Sequence, residues 1–459
     1  MSASGEVMLG WFWRVGMPLP ERRGELRVSA GKEAELRVER PISPSRSLRV
    51  EQRGSNGMYA VTTSGDPDDV VADFQPVTVH GVLDDGTEVT VVDAQADHDV
   101  LLRQWFRAPV VVMGAHLGGQ EQCYAAVRFC LDDPRWWTHL IEPARGSGCG
   151  EVGSLRVYAD DDGQVWFEHR AHGPLTRREY ARLVVDPVLT LAKLATQSRL
   201  QVTALEFRVA DERNVEDTRW LPVIGRIIDS GTAGSYPDAV VPTRELTLEV
   251  FSTWIDVSRG LDGLASAVAD PIDGAIQAQA LTMCAIAEGL HRRLYPVTSR
   301  FPGLSGNARD RVRRAARTAG AEMLEQKGFD REESEKVLNE ALSHFDELSY
   351  RRRLEQLQES AECAVPEIVA DFSDWPAQVC SARNQLAHQA YTSDAMSDGL
   401  LLLLIAVDYS LSWVLRTVLL RRAGIPDEVV LRCYENDARY GLYRANVRSC
   451  LNSGEGPRT

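Results

Sequence analysis

Three polar residues near the C-terminal end of the chain have the types and the spacing of a small catalytic group. They are Arg383, Asn384 and His388, within the segment CSARNQLAHQA of residues 380–390. Residues four apart share one face of a helix, so Asn384 and His388 would project together, with Arg383 beside them. The same helix would be anchored by a neighbouring apolar stripe made of Val379, Ala382, Leu386 and Ala390.

These side chains supply the groups that metal-independent RNA cleavage requires. Arg383 carries a permanent positive charge on a planar fork that fits phosphate oxygens. His388 would transfer protons near neutral pH, and the Asn384 amide would orient the histidine or contact the phosphate. The ribose 2′-hydroxyl would be the nucleophile, so we expect no metal and no cofactor. The motif is short, and an ordinary helix surface is the alternative.

One histidine is too few for the whole reaction. One group must deprotonate the 2′-hydroxyl, another must protonate the leaving 5′-oxygen, and a cation must stabilise the charge of the phosphorane. A two-fold dimer would bring two copies of the motif helix together across one cleft. We therefore expect a homodimer or a larger even assembly.

The elements that must position this group are helices, because apolar residues recur with a helical period from about residue 243 onward. The motif helix is predicted to begin at Ser373–Pro376, where Ser or Asp would cap it and proline fits the first turn. The other predicted helices cover 243–261, 272–296, 307–328, 331–345, 347–371 and a Leu-rich segment ending at Gly424. We predict a bridging helix in 241–269, an all-α bundle over 270–425 and a C-terminal extension over 426–459.

Residues 1–240 have the pattern of a β-rich domain. Apolar and polar residues alternate in several segments, which predicts antiparallel sheets in a sandwich or an open barrel. The pairs Asp85–Gly86 and Asp162–Gly163 mark two hairpin turns. One helix is predicted over 176–199, with Pro187 bending or splitting it. The fold class is therefore α+β, with a β-rich domain followed by a helical bundle.

Composition and charge limit the classes of function. The chain has 459 residues, 44% of them hydrophobic and 25% charged, as in a soluble globular protein of two or three domains. The formal net charge of −15 argues against a protein that coats nucleic acid through bulk charge, although it permits a local cationic site.

The sequence also predicts a cytoplasmic protein without a membrane partner. Its eight cysteines include no CxxC pair, which is typical of reduced thiols. The N-terminus lacks the pattern of a signal peptide. The apolar run Leu400–Val407 is far shorter than the ~20 residues that a membrane span needs.

Two other patterns are weak. Gly148–Gly153 matches GxGxxG, but a strand-like segment follows it instead of the helix that a nucleotide site requires. His169 and His172 could approach one metal ion, but no further ligands complete a set. We interpret both histidines as solvated loop residues.

An Arg, a polar residue and a His five positions after the Arg, on a late helix of a bundle of this size, resemble the signature of HEPN domains. The motif stands here as RNQLAH, in the form typical of the ribonucleases of that superfamily. The helix QALTMCAIAEGLHRRLYP resembles the first HEPN helix, whose acidic residue faces the active site and would be Glu288. The segments GWFWRVGMPLPERRGELRV, HGVLDDGTEVTVVDA and TWIDVSRGL resemble ApeA-type anti-phage proteins.

The resemblance implies a defence function. ApeA-type proteins pair a β-rich N-terminal domain with a HEPN ribonuclease, so the first domain would sense infection or restrain the second. The second domain would cleave RNA, with host tRNA as a candidate substrate, to stop translation in an abortive infection. A phage-encoded trigger is expected. We also expect a latent resting state before infection, with a closed cleft or with Arg383 held by an acidic residue such as Glu288.

Two interpretations stay open. The first concerns an arginine cluster that comprises Arg309, Arg311, Arg313, Arg314 and Arg317. This cluster could bind an RNA backbone, or it could lie on a solvated face and pair with nearby acidic residues. The bundle could also be a catalytically silent dimerisation or RNA-binding module, with recognition left to the N-terminal domain. HEPN domains that bind without cutting usually lose the Arg or the His, so the presence of both favours the enzyme.

Overall fold

The computed structural model divides the chain into two compact units. One comprises Met1–Arg259 with Ala423–Ile425, and the other comprises Gly260–Arg422 with Pro426–Thr459. The structure describes residues 5–17, 20–43, 45–53, 58–98, 103–141, 148–209, 219–226, 228, 239–270, 273–296, 299–389 and 398–454. The predicted domain boundaries stay predictions.

The first unit is built mainly from antiparallel strands. Its described residues form strands β1 to β15 at Glu6–Arg14, Arg22–Val28, Ala34–Val38, Leu48–Arg53, Met58–Thr63, Val77–Leu83, Glu88–His98, Gln104–Ala108, Val110–Met113, Cys123–Leu131, Gly148–Cys149, Gly153–Ala159, Val165–Thr176, Val202–Val209 and Leu221–Gly225. Its helices α1 to α4 span Pro67–Asp73, Arg177–Tyr180, Asp186–Thr196 and Leu248–Ser258.

Six of these strands form a closed barrel. Strands β7, β6, β1, β2, β3 and β8 are hydrogen-bonded in that order, and β8 also pairs with β7. Phe106 of β8 lies opposite Leu36 on one side and Ala96 on the other, which closes the ring. The predicted antiparallel β-rich domain is confirmed, and the pairing of β8 with β7 shows that its barrel is closed. This closure depends on pairings between strands far apart in sequence.

The barrel is filled by the residues that alternation predicts to point inward. Phe12, Leu26, Val79 and Val91 are completely buried in it. The predicted Asp85–Gly86 turn connects β6 to β7, with Gly86 at φ 85°, a conformation that glycine adopts without steric cost.

Strand β7 also pairs with β9, and through it the sheet continues as β15, β14, β10, β13, β12 and β11. Helices α3 and α4 pack together beside this second part. The Phe251 ring of α4 contacts the Phe167 ring of β13 at a centroid distance of 5.7 Å. The buried Trp254 indole donates to the carbonyl oxygen of Pro187 at 2.9 Å, which fixes α4 to α3.

The helix predicted over 176–199 begins directly after Thr176, and its pitch changes near Pro187, as the sequence predicts. A capping box joins Thr176 and Glu179 at its start. Residues 181–185 then form a π-helical turn, directly before Pro187 in α3. A proline ring clashes with the carbonyl four residues earlier, and the wider turn accommodates it.

The second unit is helical. Its described residues form α5 to α13 at Leu264–Ala269, Ile276–Leu294, Gly306–Glu325, Arg331–Ala341, Tyr350–Ala364, Trp375–Gln389, Asp398–Arg422, Asp427–Glu435 and Ala438–Gly454. The helix predicted over 347–371 was wrong beyond residue 364. Pro366 disfavours a helical conformation at Val365, which lies outside the helical region at φ −131° and ψ 87°. The predicted C-terminal extension contains α12 and α13.

Helix α11 is the central element of this unit, because it packs against α6, α9, α10 and α13. In the described part of the chain it is the one helix long and apolar enough to cross a membrane by length and composition. Half of its most apolar window is buried inside the protein. Leu404, Val407 and Leu411 are completely buried, as expected for the core helix of a bundle.

Candidate active site

The motif helix α10 is fixed at its first turn. The Asp374 carboxylate accepts a hydrogen bond from the Ala377 backbone amide at 3.0 Å, which caps the helix as the sequence predicts. Arg351 of α9 donates to Asp374 at 2.7 Å. The buried Trp375 indole donates to the hydroxyl of Ser410 in α11 at 2.8 Å. Three helices are thus connected at the start of the motif helix.

The predicted apolar stripe of α10 faces the core. Val379 and Ala382 are completely buried, and Leu386 is partly buried. Arg383 follows directly and is half-buried, whereas Asn384 is exposed. Ala390 lies outside the described residues. The helix therefore presents Arg383 at the border between its buried face and solvent.

Arg383 contacts side chains from two other helices. Its Nη2 donates to Oε2 of Glu288 in α6 at 3.4 Å. Its guanidinium lies 4.7 Å from the centroid of the Tyr350 ring in α9, within the range of cation–π attraction. The side chain is 39% exposed, so part of its N–H fork is accessible to a ligand. The acid predicted to hold Arg383 is thus in contact with it.

Tyr350 was missed by the sequence analysis. It is the first residue of α9, and its hydroxyl donates to the carbonyl oxygen of Cys284 in α6 at 3.1 Å. Burial raises the pKa of this phenol far above its usual range, so Tyr350 stays neutral and acts as a fixed surface beneath Arg383. Nothing in its local sequence marks the contact, because α9 and α10 meet only in the tertiary fold.

Glu288 is shared between two arginines. It accepts from Arg383 and also from Arg292, one helical turn further along α6, at 3.1 Å. Arg292 donates in turn to Glu347 at 2.9 Å. These contacts form a chain of alternating charges that ends at Arg383. A phosphate that approaches Arg383 must compete with one carboxylate that already has a second cation.

His388 belongs to α10 by its backbone, but its side chain lies outside the described residues. It lies five residues after Arg383 on the same helix. Its predicted role in proton transfer, and the predicted role of Asn384 in orienting it, stay predictions.

The predicted RNA-binding arginines lie along α7, which packs against α8. Arg309 Nε is 2.8 Å from Asp346 Oδ2, Arg313 lies over Phe345, and Arg317 donates to Asn339 at 3.1 Å. Arg311 and Arg314 are exposed. Three of the five arginines therefore have partners within the protein, and two extend into solvent.

The interpretation of His169 and His172 as solvated loop residues was wrong. Both lie in strand β13, not in a loop, and His169 is 1% exposed while His172 is exposed. Alternation with the buried Phe167 was the available signal for the burial of His169. Among the described residues no group of three or more His, Cys, Asp or Glu side chains could hold a metal ion. GxGxxG is followed by strand β12, as predicted.

The burial of His169 predicts a loss of stability in acid. Among the described residues its Nδ1 has no hydrogen-bond partner, and burial lowers its pKa to about 4, with repulsion from His172 adding to the effect. Because the folded pKa lies below the unfolded value of 6.5, this stability is present above pH 6.5 and is lost as the pH falls toward 4. At pH 5 the loss is about 2 kcal/mol.

The measurement is the free energy of unfolding in urea at pH 7 and pH 5. We expect His169→Leu to remove most of the acid-dependent loss. His172→Leu is the matched control and should keep most of the loss, because His172 lies exposed on the same strand and contributes only the smaller, repulsive part of the effect. Equal acid sensitivity of wild type and His169→Leu would contradict the prediction.

Comparison with known protein families identifies the second unit. Residues 281–429 match the family model described as Apea-like HEPN. The match contains Glu288, Tyr350 and Arg383, and it confirms the resemblance drawn from RNQLAH. HEPN domains are generally ribonucleases, so the match supports a nuclease at the level of the family. No curated protein and no solved structure matches the chain.

Proposed function

Because residues 281–429 form an Apea-like HEPN domain, we propose that this chain is a metal-independent endoribonuclease that acts in anti-phage defence. Its substrate is RNA, with tRNA the first class to test. Cleavage follows a phage-encoded trigger and stops translation in the infected cell. The protein acts in the cytoplasm as a homodimer or a larger even assembly.

The observation that carries this proposal is the placement of Arg383. Its charge is half-buried, it is supported by the neutral ring of Tyr350, and part of its fork faces solvent. A guanidinium in this position can bind two phosphate oxygens at once. Its effect is largest when the phosphorane carries more negative charge than the substrate, which is the condition for catalysis.

The reaction needs no atoms beyond RNA and two proton carriers. The 2′-oxygen attacks the phosphorus as its proton is removed, and the bond from phosphorus to the 5′-oxygen breaks as that oxygen gains a proton. The products end in a 2′,3′-cyclic phosphate and a 5′-hydroxyl. His388 carries one proton, and in a two-fold dimer the partner's copy of the same helix supplies the second carrier.

The contact between Arg383 and Glu288 supports a latent resting state. While the guanidinium is bound to the carboxylate, part of its charge is unavailable to a phosphate. At 3.4 Å this contact is already longer than a normal charge-assisted hydrogen bond, so an activating change need move α6 relative to α10 by only a small distance to release Arg383.

The test is phage protection and RNA integrity in cells that express wild type, Arg383→Ala or His388→Ala. We expect wild type to protect and to yield RNA fragments with cyclic phosphate ends after infection, and both variants to lose both effects. Arg352→Ala is the matched control, because Arg352 is an exposed arginine of α9 that pairs with Glu355 on the same helix. Melting curves establish that each variant is folded.

If folded Arg383→Ala and His388→Ala protect as well as wild type, the enzyme is excluded. The bundle would then be the silent dimerisation or RNA-binding module, and recognition would belong to the β-rich unit.

A further inference from the structure

One face of the sheet in the first unit carries an ordered set of arginines. Strands β12, β13, β10 and β14 lie side by side, and one face of each is buried. The buried positions on that face include Leu155, Phe167, Phe129 and Phe207. The alternate residues therefore point to the opposite face, and they include four arginines and two glutamates.

The register places four charges in one row across the four strands. Arg156 lies opposite Glu168, Glu168 opposite Arg128, and Arg128 opposite Glu206. The charges alternate: Arg156 donates to Glu168, and Arg128 Nε donates to Glu206 at 2.7 Å. This row is neutral as a whole.

The next row is different because none of its residues on these four strands is acidic. Arg170 and Arg208 both lie opposite Ala126, one on each side, and Ser154 lies opposite Arg170. Two arginines therefore flank a residue without a polar side chain. Among the described residues, Arg208 has no carboxylate within ion-pair distance, whereas it lies 5.3 Å from the centre of the Trp220 ring.

Glu168 fixes two of these arginines. It is 1% exposed, and it accepts from Arg156 at 2.5 Å through one oxygen and from Arg170 at 2.6 Å through the other. The two arginine side chains are themselves about half exposed, at 50% and 49%. A buried carboxylate that holds two exposed guanidiniums orients their remaining N–H groups before any ligand arrives.

The aromatic side chains on this face are already covered by guanidinium groups. Arg128 lies 4.3 Å from the centre of the Trp166 ring and 4.8 Å from that of Trp220, which Arg208 also contacts. Stacking on these rings by a nucleic-acid base is therefore disfavoured. The surface offers fixed N–H donors instead of open aromatic faces, which suits an oxyanion.

The two rows contain four arginines and two glutamates, Arg128, Arg156, Arg170, Arg208, Glu168 and Glu206, so they have an excess of two positive charges. The pKa of Arg208 is lowered by burial and then by repulsion from Arg170, as expected where cations gather without enough anions. A phosphate monoester carries about −1.5 to −2 charges at neutral pH, which complements this excess.

We propose that the face formed by Arg156, Arg170 and Arg208 binds a phosphoryl group. Arg170 and Arg208 contact its oxygens from both sides of Ala126, and Arg156 contributes through its free N–H groups. The group belongs to a nucleotide or to the phosphorylated end of an RNA chain. This site lies in the β-rich unit and is independent of the proposed cleavage by the helical unit.

The test is calorimetric titration of the full chain with inorganic phosphate, a nucleoside 5′-triphosphate, and a short RNA with either a 5′-phosphate or a 5′-hydroxyl. The RNA titrations use Arg383→Ala protein, so that the RNA stays intact. We expect Arg170→Gln and Arg208→Gln each to weaken phosphate binding by about tenfold or more, since each removes charged hydrogen bonds. Arg135→Gln is the control, because Arg135 is an 85% exposed arginine of the same unit that pairs with Asp133, two residues away.

Tighter binding of the triphosphate than of 5′-phosphorylated RNA supports a free nucleotide, and the reverse order supports an RNA end. The proposal is overturned if wild type binds none of these probes at millimolar concentration, or if both glutamine variants bind as wild type does. It is also overturned if an oligoglutamate peptide binds more tightly than every phosphate probe, which would indicate an acidic protein partner. Loss of RNA cleavage in Arg383→Ala has no bearing on these outcomes, so the two proposals fail separately.

Discussion

RNA cleavage by the activated protein is expected to slow by about 10²- to 10³-fold when Arg383 is replaced by alanine, the usual cost of removing one fixed donor to a developing negative charge. Arg383→Lys should restore only part of this loss. Lysine keeps the charge but presents a single ammonium group, which cannot bind two phosphate oxygens in the fixed geometry of a guanidinium. It also loses the planar contact with Tyr350.

Single-turnover cleavage of a defined RNA, in the presence of extract from infected cells, measures this effect. The ends of the fragments are analysed in the same reaction for cyclic phosphate. Arg352→Ala should cleave at the wild-type rate. If folded Arg383→Ala cleaves RNA at a rate within about threefold of wild type, the proposed role of the guanidinium is contradicted.

Truncation of Trp375 is expected to have the largest effect on stability in the helical unit. The side chain is 2% exposed, and its indole donates to Ser410 at 2.8 Å, so it connects α10 to the central helix α11. Trp375→Ala should lower the free energy of unfolding by about 3–5 kcal/mol through the lost contacts and the cavity left behind. Because the same residue fixes the first turn of the motif helix, RNA cleavage should also be lost.

Trp375→Phe separates the two contributions. It keeps most of the apolar volume and removes the hydrogen bond, so we expect a cost of about 1–2 kcal/mol. Trp11→Ala serves as a second control, because Trp11 is 48% exposed on the barrel surface. Urea unfolding monitored by circular dichroism gives all three values. Similar midpoints for Trp375→Ala and Trp375→Phe would show that packing at this position matters little.

The local features of the fold could be predicted from the sequence because their causes are local. The start of α10 follows from Asp374 and Pro376, and the β6–β7 turn follows from Asp85–Gly86. The same kind of signal was overlooked at Pro366, which ends α9 early. Because His169 is two residues after the buried Phe167 in the same strand, alternation would likewise have predicted that His169 lies on the buried face of the sheet.

The features that escaped prediction depend on contacts between distant segments. Tyr350 supports Arg383 only because α9 and α10 pack side by side. The row that contains Arg156, Glu168 and Arg128 exists only in the observed register, since a shift of one residue would turn each side chain to the other face. The site motif itself was visible because its two main residues lie on one helix.

The closed barrel has a consequence for the order in which the chain folds. Strand β3 ends at residue 38, and its partner β8 begins at residue 104, so the ring closes only after a long intervening segment has been ordered. Such non-local pairing is slow, whereas the local helical pair α7 and α8 forms fast. The slow unit comes first on the ribosome, and the 200 residues that follow take roughly 10 to 40 s to synthesise. The β-rich unit thereby gains time to fold before the helices of the HEPN domain are complete, and under the proposed function the restraining domain is in place before the ribonuclease.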